Sequence, residues 1–205
     1  GCTLGTLATG AWSAAAGTVT TTGARYSEVG AFAMKLSDAS FAAVDGADGS
    51  TAVERTIEST AFNVGRFVPD HFDLTPISTP VFKTFDDTTC ATRSFTYAGQ
   101  PFGYLTLPQA TITAKNAAGA TTLNYAGTLW KLVPAGALQP YTAVTGNLDI
   151  GLLGAPTVTA SGGGTGILTS NAADKRAFVL SGTPAAPFPA DIILPMAIQD
   201  ISESG

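Results

Sequence analysis

The sequence predicts an all-β protein made of antiparallel, immunoglobulin-like β-sandwiches with Greek-key connections. Apolar residues recur at every second position, which is typical of strands with one buried face; in "AFAMKL" the residues Phe32, Met34 and Leu36 share a face. Clusters of Gly, Pro, Asn and Asp separate such runs at short intervals. The best helix candidate, residues 172–177, is too short to build a helical layer and could equally be a turn. Many short strands joined by turns therefore favour an all-β architecture.

The length of 205 residues suits one large domain or two small ones. We predict two β-sandwich units, residues 1–80 and 81–205, with the join between Pro69 and Asp87. The prolines in this join would stiffen it, because proline fixes φ and lacks a backbone donor. The alternative is one elaborated β-sandwich over residues 1–205.

The composition excludes several classes of function. Charged residues make up 12% of the chain, the formal net charge is -5, and the ten Lys and Arg residues form no run. Proteins that bind nucleic acid need a basic surface against the phosphates, so nucleic acid is not an expected partner. No apolar run reaches the ~18 residues of a membrane span. The sequence has no cluster of cysteine and histidine, so we expect neither a metal nor another cofactor.

The two cysteines, Cys2 and Cys90, are predicted to form one intramolecular disulfide. A chain this poor in Lys and Glu is more typical of an exported protein, and disulfides persist in oxidising compartments. Closing so long a loop would stabilise the fold by about 4–5 kcal/mol in the chain-entropy model. The alternative is two free or intermolecularly paired thiols. Because the chain begins at Gly1 without Met or a basic leader, we expect that a signal peptide was removed or that the segment belongs to a longer precursor.

Three loops carry patterns that are faintly typical of ligand sites. "DGADGS" at residues 45–50 has two aspartates but lacks the distal glutamate of a calcium loop, so a tight turn is favoured. "SGGGTG" at residues 161–166 lacks the lysine of a phosphate-binding loop, so a mobile connection between strands is favoured. Asp86 and Asp87 are interpreted as a solvated turn.

His71 is the only histidine, and it lies in "VGRFVPDHFDLT" next to Asp70, with Asp73 two positions further on. In an extended segment His71 and Asp73 share a face, so an Asp–His pair is geometrically feasible. A hydrolase would also need a nucleophile, and the sequence has no GxSxG elbow. We therefore expect no catalytic residue.

Aromatic residues in the second half of the chain offer another kind of site. Exposed rings could stack on sugars, as a glycan-binding adhesin requires, whereas packing in the core is more typical of such residues. The residues are Tyr97, Phe102, Tyr104, Tyr125, Trp130 and Tyr141. We favour packing in the core and keep glycan binding as the alternative.

Four motifs in a fixed order resemble a domain of MshQ-like proteins, which are large surface proteins associated with the mannose-sensitive haemagglutinin type IV pilus. The motifs lie within residues 17–134 and read "RYSEVGAFAMKL", "NVGRFVPDHFDLT", "CATRSFTYAGQPFGY" and "ATITAKNAAGATTLNYAG". None of them is a catalytic signature. The resemblance therefore implies a location on the bacterial cell surface more than a chemistry.

The resemblance also implies a structural role for the segment around the histidine. It places His71 in a corner of aromatic residues and proline, where Arg66 can pair with Asp70 or with Glu28. An arginine with a carboxylate partner fixes a loop and performs no reaction. We interpret Arg66, Asp70, His71 and Glu28 as a structural corner with neighbouring rings packed inward.

The terminal segment "DIILPMAIQDIS" points to assembly. Ile192, Leu194, Met196 and Ile198 form one apolar face, and Pro195 suits the segment to the edge of a sheet, where a strand can add to a neighbouring copy. Since little surface charge repels a second copy, we expect subunits to associate head to tail into an open fibre.

The leading functional hypothesis is a non-enzymatic extracellular structural protein, a pilus-associated or filament-forming subunit of the bacterial cell surface. Its expected partners are other copies of itself or pilus and cell-surface proteins. An adhesin module that binds glycans or surfaces is the alternative. A hydrolase that uses His71 is a weaker alternative.

Overall fold

A computed structural model of the chain describes residues 2–40, 42–83, 95–135 and 141–202. Contacts between residues divide the chain into two units, Gly1–Pro69 and Asp70–Gly205. The predicted organisation into separate β-sandwich units stays a prediction.

Strands dominate both units, and all the strand pairs in the described ranges are antiparallel. The helical segments of the described residues are two short 3₁₀ helices, Ala43–Ala47 and Gly127–Leu129. The predicted all-β, antiparallel class is confirmed, and the strands are consistent with a β-sandwich. Its immunoglobulin-like and Greek-key details stay predictions. Among the residues described, no helix has the length and apolar character needed to cross a membrane.

The first unit contains short strands that pair two by two. In chain order they are β1 (Leu7–Ala8), β2 (Ser13–Ala15), β3 (Thr18–Thr20), β4 (Arg25–Tyr26), β5 (Gly30–Met34), β6 (Ser37–Asp38), β7 (Ile57–Glu58) and β8 (Phe62–Phe67). The pairs are β1 with β4, β2 with β3, β5 with β8 and β6 with β7. Isolated two-stranded ribbons are marginally stable in water, so this unit depends on how its side chains pack.

An aromatic cluster joins three strands of the first unit. Strand β5 has part of the alternation that "AFAMKL" predicts, with Phe32 and Met34 half-buried and Ala33 between them exposed. The prediction is wrong for Leu36, which follows the end of the strand and is 52% exposed. The ring centroid of Tyr26 lies 4.6 Å from that of Phe32 and 5.0 Å from that of Phe67. These contacts connect β4, β5 and β8. Val29, which precedes β5 in the sequence, is buried with 5% exposure.

The second unit is built around one larger sheet. Its strands are β9 (His71–Pro76), β10 (Val81–Lys83), β11 (Gly103–Thr106), β12 (Gln109–Lys115), β13 (Leu132–Pro134), β14 (Thr142–Ala143), β15 (Leu148–Leu152), β16 (Thr157–Gly162), β17 (Thr165–Thr169), β18 (Lys175–Phe178), β19 (Ile192–Ile193) and β20 (Ile198–Asp200). A four-stranded sheet has the order β16-β17-β12-β9. Two-stranded pairs join β10 to β11, β13 to β20, β14 to β19 and β15 to β18.

The core of the second unit lies on one face of the central strand β12. Ala110, Ile112 and Ala114 are buried there, and the residues between them are half-buried. Leu168 of β17 is buried as well, directly opposite Ala110. The buried residues of "ATITA" thus recur at every second position, because burial of one face of a strand creates a period of two.

The turn between β16 and β17 is a two-residue hairpin. The sequence predicts a mobile connection at residues 161–166, whereas the structure shows Gly163 and Gly164 in left-handed conformations with φ of 58° and 73°. A two-residue loop with positive φ at both positions matches the twist of a hairpin, and glycine adopts it without strain. The N–H of Ala114 donates a hydrogen bond to the carbonyl of Gly164 (2.8 Å), which fixes the turn against β12.

The best helix candidate of the sequence, residues 172–177, forms a turn at 172–173, which was the alternative, and then enters a strand. Residues 175–178 are β18, which pairs with β15. Arg176 and Phe178 are buried on one face of it, whereas Lys175 is exposed. The polar residues before Phe178 therefore form a strand that borders the core, and the side chain of Arg176 is buried in that core.

Candidate functional site

The guanidinium of Arg176 lies in the interior of the second unit between two tyrosine rings. The side chain is 1% exposed, and its Cζ lies 4.0 Å from the ring centroid of Tyr141 and 4.4 Å from that of Tyr104. A desolvated cation over two aromatic faces gains electrostatic attraction from both rings. Nε, Nη1 and Nη2 have no hydrogen-bond partner within the part of the chain that is described. The ring faces are therefore the main partners of this charge.

Asp174 connects the same cluster to the backbone. Its carboxylate is 4% exposed, with Oδ2 accepting a hydrogen bond from the hydroxyl of Tyr141 (3.1 Å) and Oδ1 accepting one from the N–H of Gly154 (2.6 Å). Burial raises the pKa of Tyr141 above its usual range, and the charge of Arg176 opposes that shift. Tyr141 consequently stays protonated at neutral pH and donates to the carboxylate. Three separate segments of the chain are held together by these bonds.

A small cavity lies beside this cluster. It has a volume of about 30 Å³ and is lined by Tyr141, Ser170, Asp174 and residues 194–197, among others. The hydroxyl of Ser170 is buried and has no partner in the described parts of the chain. One or two water molecules would fit, since one needs roughly 10–15 Å³ of such space.

Tyr125 forms a second buried polar contact. Its side chain is 2% exposed, its hydroxyl donates to Oδ2 of Asp200 (2.6 Å), and the N–H of Lys131 donates to the hydroxyl oxygen (3.3 Å). Burial, followed by the hydrogen bond to Asp200, raises the pKa of Tyr125 above its usual range. Its ring centroid lies 5.5 Å from that of Phe72 and 5.3 Å from that of Trp130. The contact fixes the last strand to the aromatic part of the core.

The C-terminal arm, residues 191–200, lines one side of the cavity and pairs with two different strands. Its β19 pairs with β14, and its β20 pairs with β13. The residues that alternate along the arm, Ile192, Leu194, Met196 and Ile198, are all half-buried, whereas Ile193 and Pro195 are exposed. The arm is two short strands and not one, since residues 194–197 lie between them against the cavity. The predicted role of these residues in assembly stays a prediction.

The histidine lies at the start of β9 among carboxylates. Nδ1 of His71 is 2.9 Å from Oδ2 of Asp70, and Nε2 is 4.0 Å from Oδ1 of Asp73. All three side chains are about half exposed. The described residues contain no group of three His, Cys, Asp or Glu side chains that could hold a metal ion. The arrangement can hold and orient an imidazole at the surface.

The other members of the predicted corner belong to the first unit. Arg66 is exposed on β8, whereas Glu28 is buried with 7% exposure. The adjacent Phe67 packs in the aromatic cluster of that unit. The predicted pairing of Arg66 with Asp70 or Glu28 stays a prediction, but the exposure of the arginine lowers what such a pair could contribute to stability.

Of the two cysteines in the predicted disulfide, the structure describes Cys2. Cys2 is exposed and forms no disulfide with a described residue. Cys90, together with Asp86 and Asp87, lies outside the described residues. The pairing of Cys2 with Cys90 stays a prediction.

Most of the aromatic residues considered for glycan binding are buried or half-buried. Phe102, Tyr125 and Tyr141 are at most 5% exposed, and Tyr104 faces Arg176. Tyr97 differs, with 61% exposure. Packing in the core is therefore what these residues do, except at Tyr97.

Sequence reasoning missed Arg176, Asp174 and Ser170. The signal that could have found the first two is the period-two spacing of Asp174, Arg176 and Phe178, all of which are buried. Charged residues at such positions are readily interpreted as solvent-facing, because Asp and Arg are seldom buried. The spacing was therefore not recognised as the buried face of a strand.

One comparison with known proteins identifies a relationship. The sequence model of a family described as DUF6701, third domain, matches residues 28–205. The comparisons with curated proteins and with solved structures gave no match.

Proposed function

The chain belongs to the DUF6701 third-domain family, and from its composition and its buried polar clusters we propose that this member is a non-enzymatic structural protein. In this proposal it is a pilus-associated or filament-forming subunit on the outside of a bacterial cell. The resemblance of its four motifs to MshQ-like surface proteins supports the proposed location.

The burial of the strongest polar interactions is the observation that carries the proposal. Arg176, Asp174 and Tyr125 are all at most 4% exposed, and each contacts a segment distant in the sequence. Groups buried in this way are not accessible to a substrate, but they hold strands in one arrangement. A chain with only 12% charged residues that places these groups inside suits a durable scaffold.

Electron microscopy of the purified protein at increasing concentration tests the filament proposal. We expect ordered fibres whose abundance rises with concentration and changes little with added salt, because few surface charges are available for screening. A population of isolated particles at every concentration would contradict it. His71→Ala serves as the matched control, since a structural protein should assemble equally well without its only histidine.

The same variant addresses the hydrolase alternative. A broad screen of ester, peptide and glycoside substrates should show no turnover by the parent protein above that of His71→Ala. Turnover that the substitution abolishes, with the melting temperature unchanged, would support an enzyme.

A specific observation keeps glycan binding as the second candidate. Tyr97 and Phe95 are 61% and 53% exposed, and their ring centroids lie 5.6 Å apart in an edge-to-face arrangement. An exposed pair of rings is the platform that sugar stacking needs. Binding on a glycan array that is lost in Tyr97→Ala but kept in Tyr97→Phe would favour an adhesin. Tyr141 is unsuitable for this test, because its burial makes any substitution a test of folding.

A further inference from the structure

We propose that the C-terminal arm is exchanged between copies, so that the arm of one subunit leaves its own groove and fills the groove of the next. The arm groove consists of β13, β14 and the cavity beside Tyr141. This inference rests on the proposed filament-forming function and names its connector. The occupant is a second copy of this chain, because the groove already accepts this arm sequence in the structure.

The segment before the arm has the properties of a hinge. Every residue of this hinge, 181–190, is exposed, and it contains Pro184, Pro187 and Pro189. Ten residues in an extended, proline-rich conformation span about 30 Å, which is close to the diameter of a small domain. Within the hinge, Phe188 packs edge to face on Phe178, with 5.1 Å between ring centroids. The hinge can therefore carry the arm to a neighbouring subunit while most of it stays solvated.

The arm can leave without disrupting the central sheet. It pairs with β14 through two residue pairs and with β13 through three, and neither strand belongs to the four-stranded sheet. Residues 194–197, between the two pairings, lie over a cavity and so pack less densely than the rest of the core. Release of the arm thus breaks these five pairings and the hydrogen bond between Tyr125 and Asp200 but leaves the four-stranded sheet intact, whereas release of β12 or β17 would open the core.

An empty groove would be a specific acceptor. In the described residues β13 and β14 pair only with the arm, so its departure leaves two strand edges without partners and opens the apolar cavity wall. The hydroxyl of Tyr125 would also lose the carboxylate of Asp200. A segment that restores all of these contacts must be extended, apolar at every second position and acidic at its end. A second arm meets each requirement.

The exchange is close to neutral in contact energy, since an arm makes the same contacts in either groove. The balance is then set by the effective concentration of the tethered arm, which is on the order of mM for a short linker whose reach matches the span to its own groove. A crowded cell surface or a growing fibre end can reach that range. Serial exchange from one subunit to the next is a head-to-tail contact, which propagates into an open chain.

Isotope-mixed photo-cross-linking tests the proposal. A photo-reactive residue replaces Ile193, which is 56% exposed and lies opposite Thr142, and a second variant carries it at Gln199, which is exposed and lies opposite Val133. Equal amounts of light and heavy-isotope protein are mixed near mM concentration, irradiated and digested. If arms are exchanged, about half of the cross-links should join a heavy arm to a light groove or the reverse. The same sample irradiated at high dilution should give almost only same-isotope cross-links, which shows that the arm is seated in its own groove.

Electron microscopy of the same samples separates this inference from the proposed function. Fibres with mixed-isotope cross-links support both. Fibres with only same-isotope cross-links overturn arm exchange and leave the filament function standing. Mixed-isotope cross-links in closed dimers support arm exchange and contradict the filament function. Isolated particles with only same-isotope cross-links at both positions overturn both.

Discussion

Replacing Tyr125 with phenylalanine should lower the free energy of unfolding by about 2–3 kcal/mol. The change removes only the hydroxyl, which donates to the carboxylate of Asp200 at 2.6 Å and accepts from the N–H of Lys131 at 3.3 Å. Hydrogen bonds to charged groups contribute about 1.5–3 kcal/mol, and the N–H of Lys131, on an exposed residue, can bond to water once the hydroxyl is gone. Asp200 keeps the hydrogen bond from the N–H of Ser202 (2.7 Å), which limits the cost on its side.

Chemical denaturation and thermal melting both measure this loss. For a chain of this size 2–3 kcal/mol corresponds to a decrease in Tm of roughly 4–12 °C. Tyr97→Phe is the matched control, because its side chain is 61% exposed and surface substitutions usually stay within about 0.5 kcal/mol. A double-mutant cycle with Asp200→Asn isolates the coupling between the two side chains. If Tyr125→Phe unfolds within about 0.5 kcal/mol of the parent, the hydrogen bond does not hold the last strand and the reasoning fails.

Three further predictions concern a turn, the buried tyrosines and the exposed arginine. Gly164→Ala should lower the free energy of unfolding, measured by urea denaturation, by about 2–4 kcal/mol, because the added Cβ would overlap the carbonyl of Thr122. Gly163→Ala is the control: its Cβ meets open space, so the substitution should cost only about 1 kcal/mol of backbone strain. Equal losses in the two variants would contradict the geometry. Both buried tyrosines have pKa values raised by burial, so the unfolded chain ionises first, and the free energy of unfolding should fall as the pH rises above about 10, by up to about 1.4 kcal/mol per pH unit for each tyrosine. Urea denaturation from pH 8 to 11 measures that slope, and a flat profile would show that the phenols are not buried. Arg66→Ala should change the free energy of unfolding by less than about 1 kcal/mol, since the side chain is exposed; a much larger loss would reveal a buried ion pair.

The alternation of apolar residues along the sequence is enough to locate strands such as β5 and β12. The apolar side chains alternate in both strands because one face of β12 is buried and one face of β5 is half-buried, and this alternation is a local property of the sequence. The chain reversal at Asn116 also depends on near neighbours, because its side-chain oxygen accepts hydrogen bonds from the N–H groups of Ala118 and Ala120. Asparagine and glycine favour such turns for reasons that lie within a few residues.

Local patterns failed where the conformation depends on distant residues. The stretch before Phe178 has the composition of a short polar helix, yet it forms β18 because it pairs with β15 and places Arg176 against the core. The glycines at 162–164 are compatible with either a mobile loop or a tight hairpin. The pairing of β16 with β17 selects the hairpin.

The candidate site itself was decided by tertiary structure. The sequence by itself determined an all-β, antiparallel chain with few charges and an apolar terminal segment, because composition and a period of two residues are local properties. It did not indicate that Tyr104 and Tyr141 would enclose Arg176, since the three residues lie on separate segments that meet only in the folded unit. Nor did it show that the terminal segment divides between β13 and β14 over a cavity. A buried charge is stable only with partners that surround it in space, and the order of residues along the chain does not reveal which ones those are.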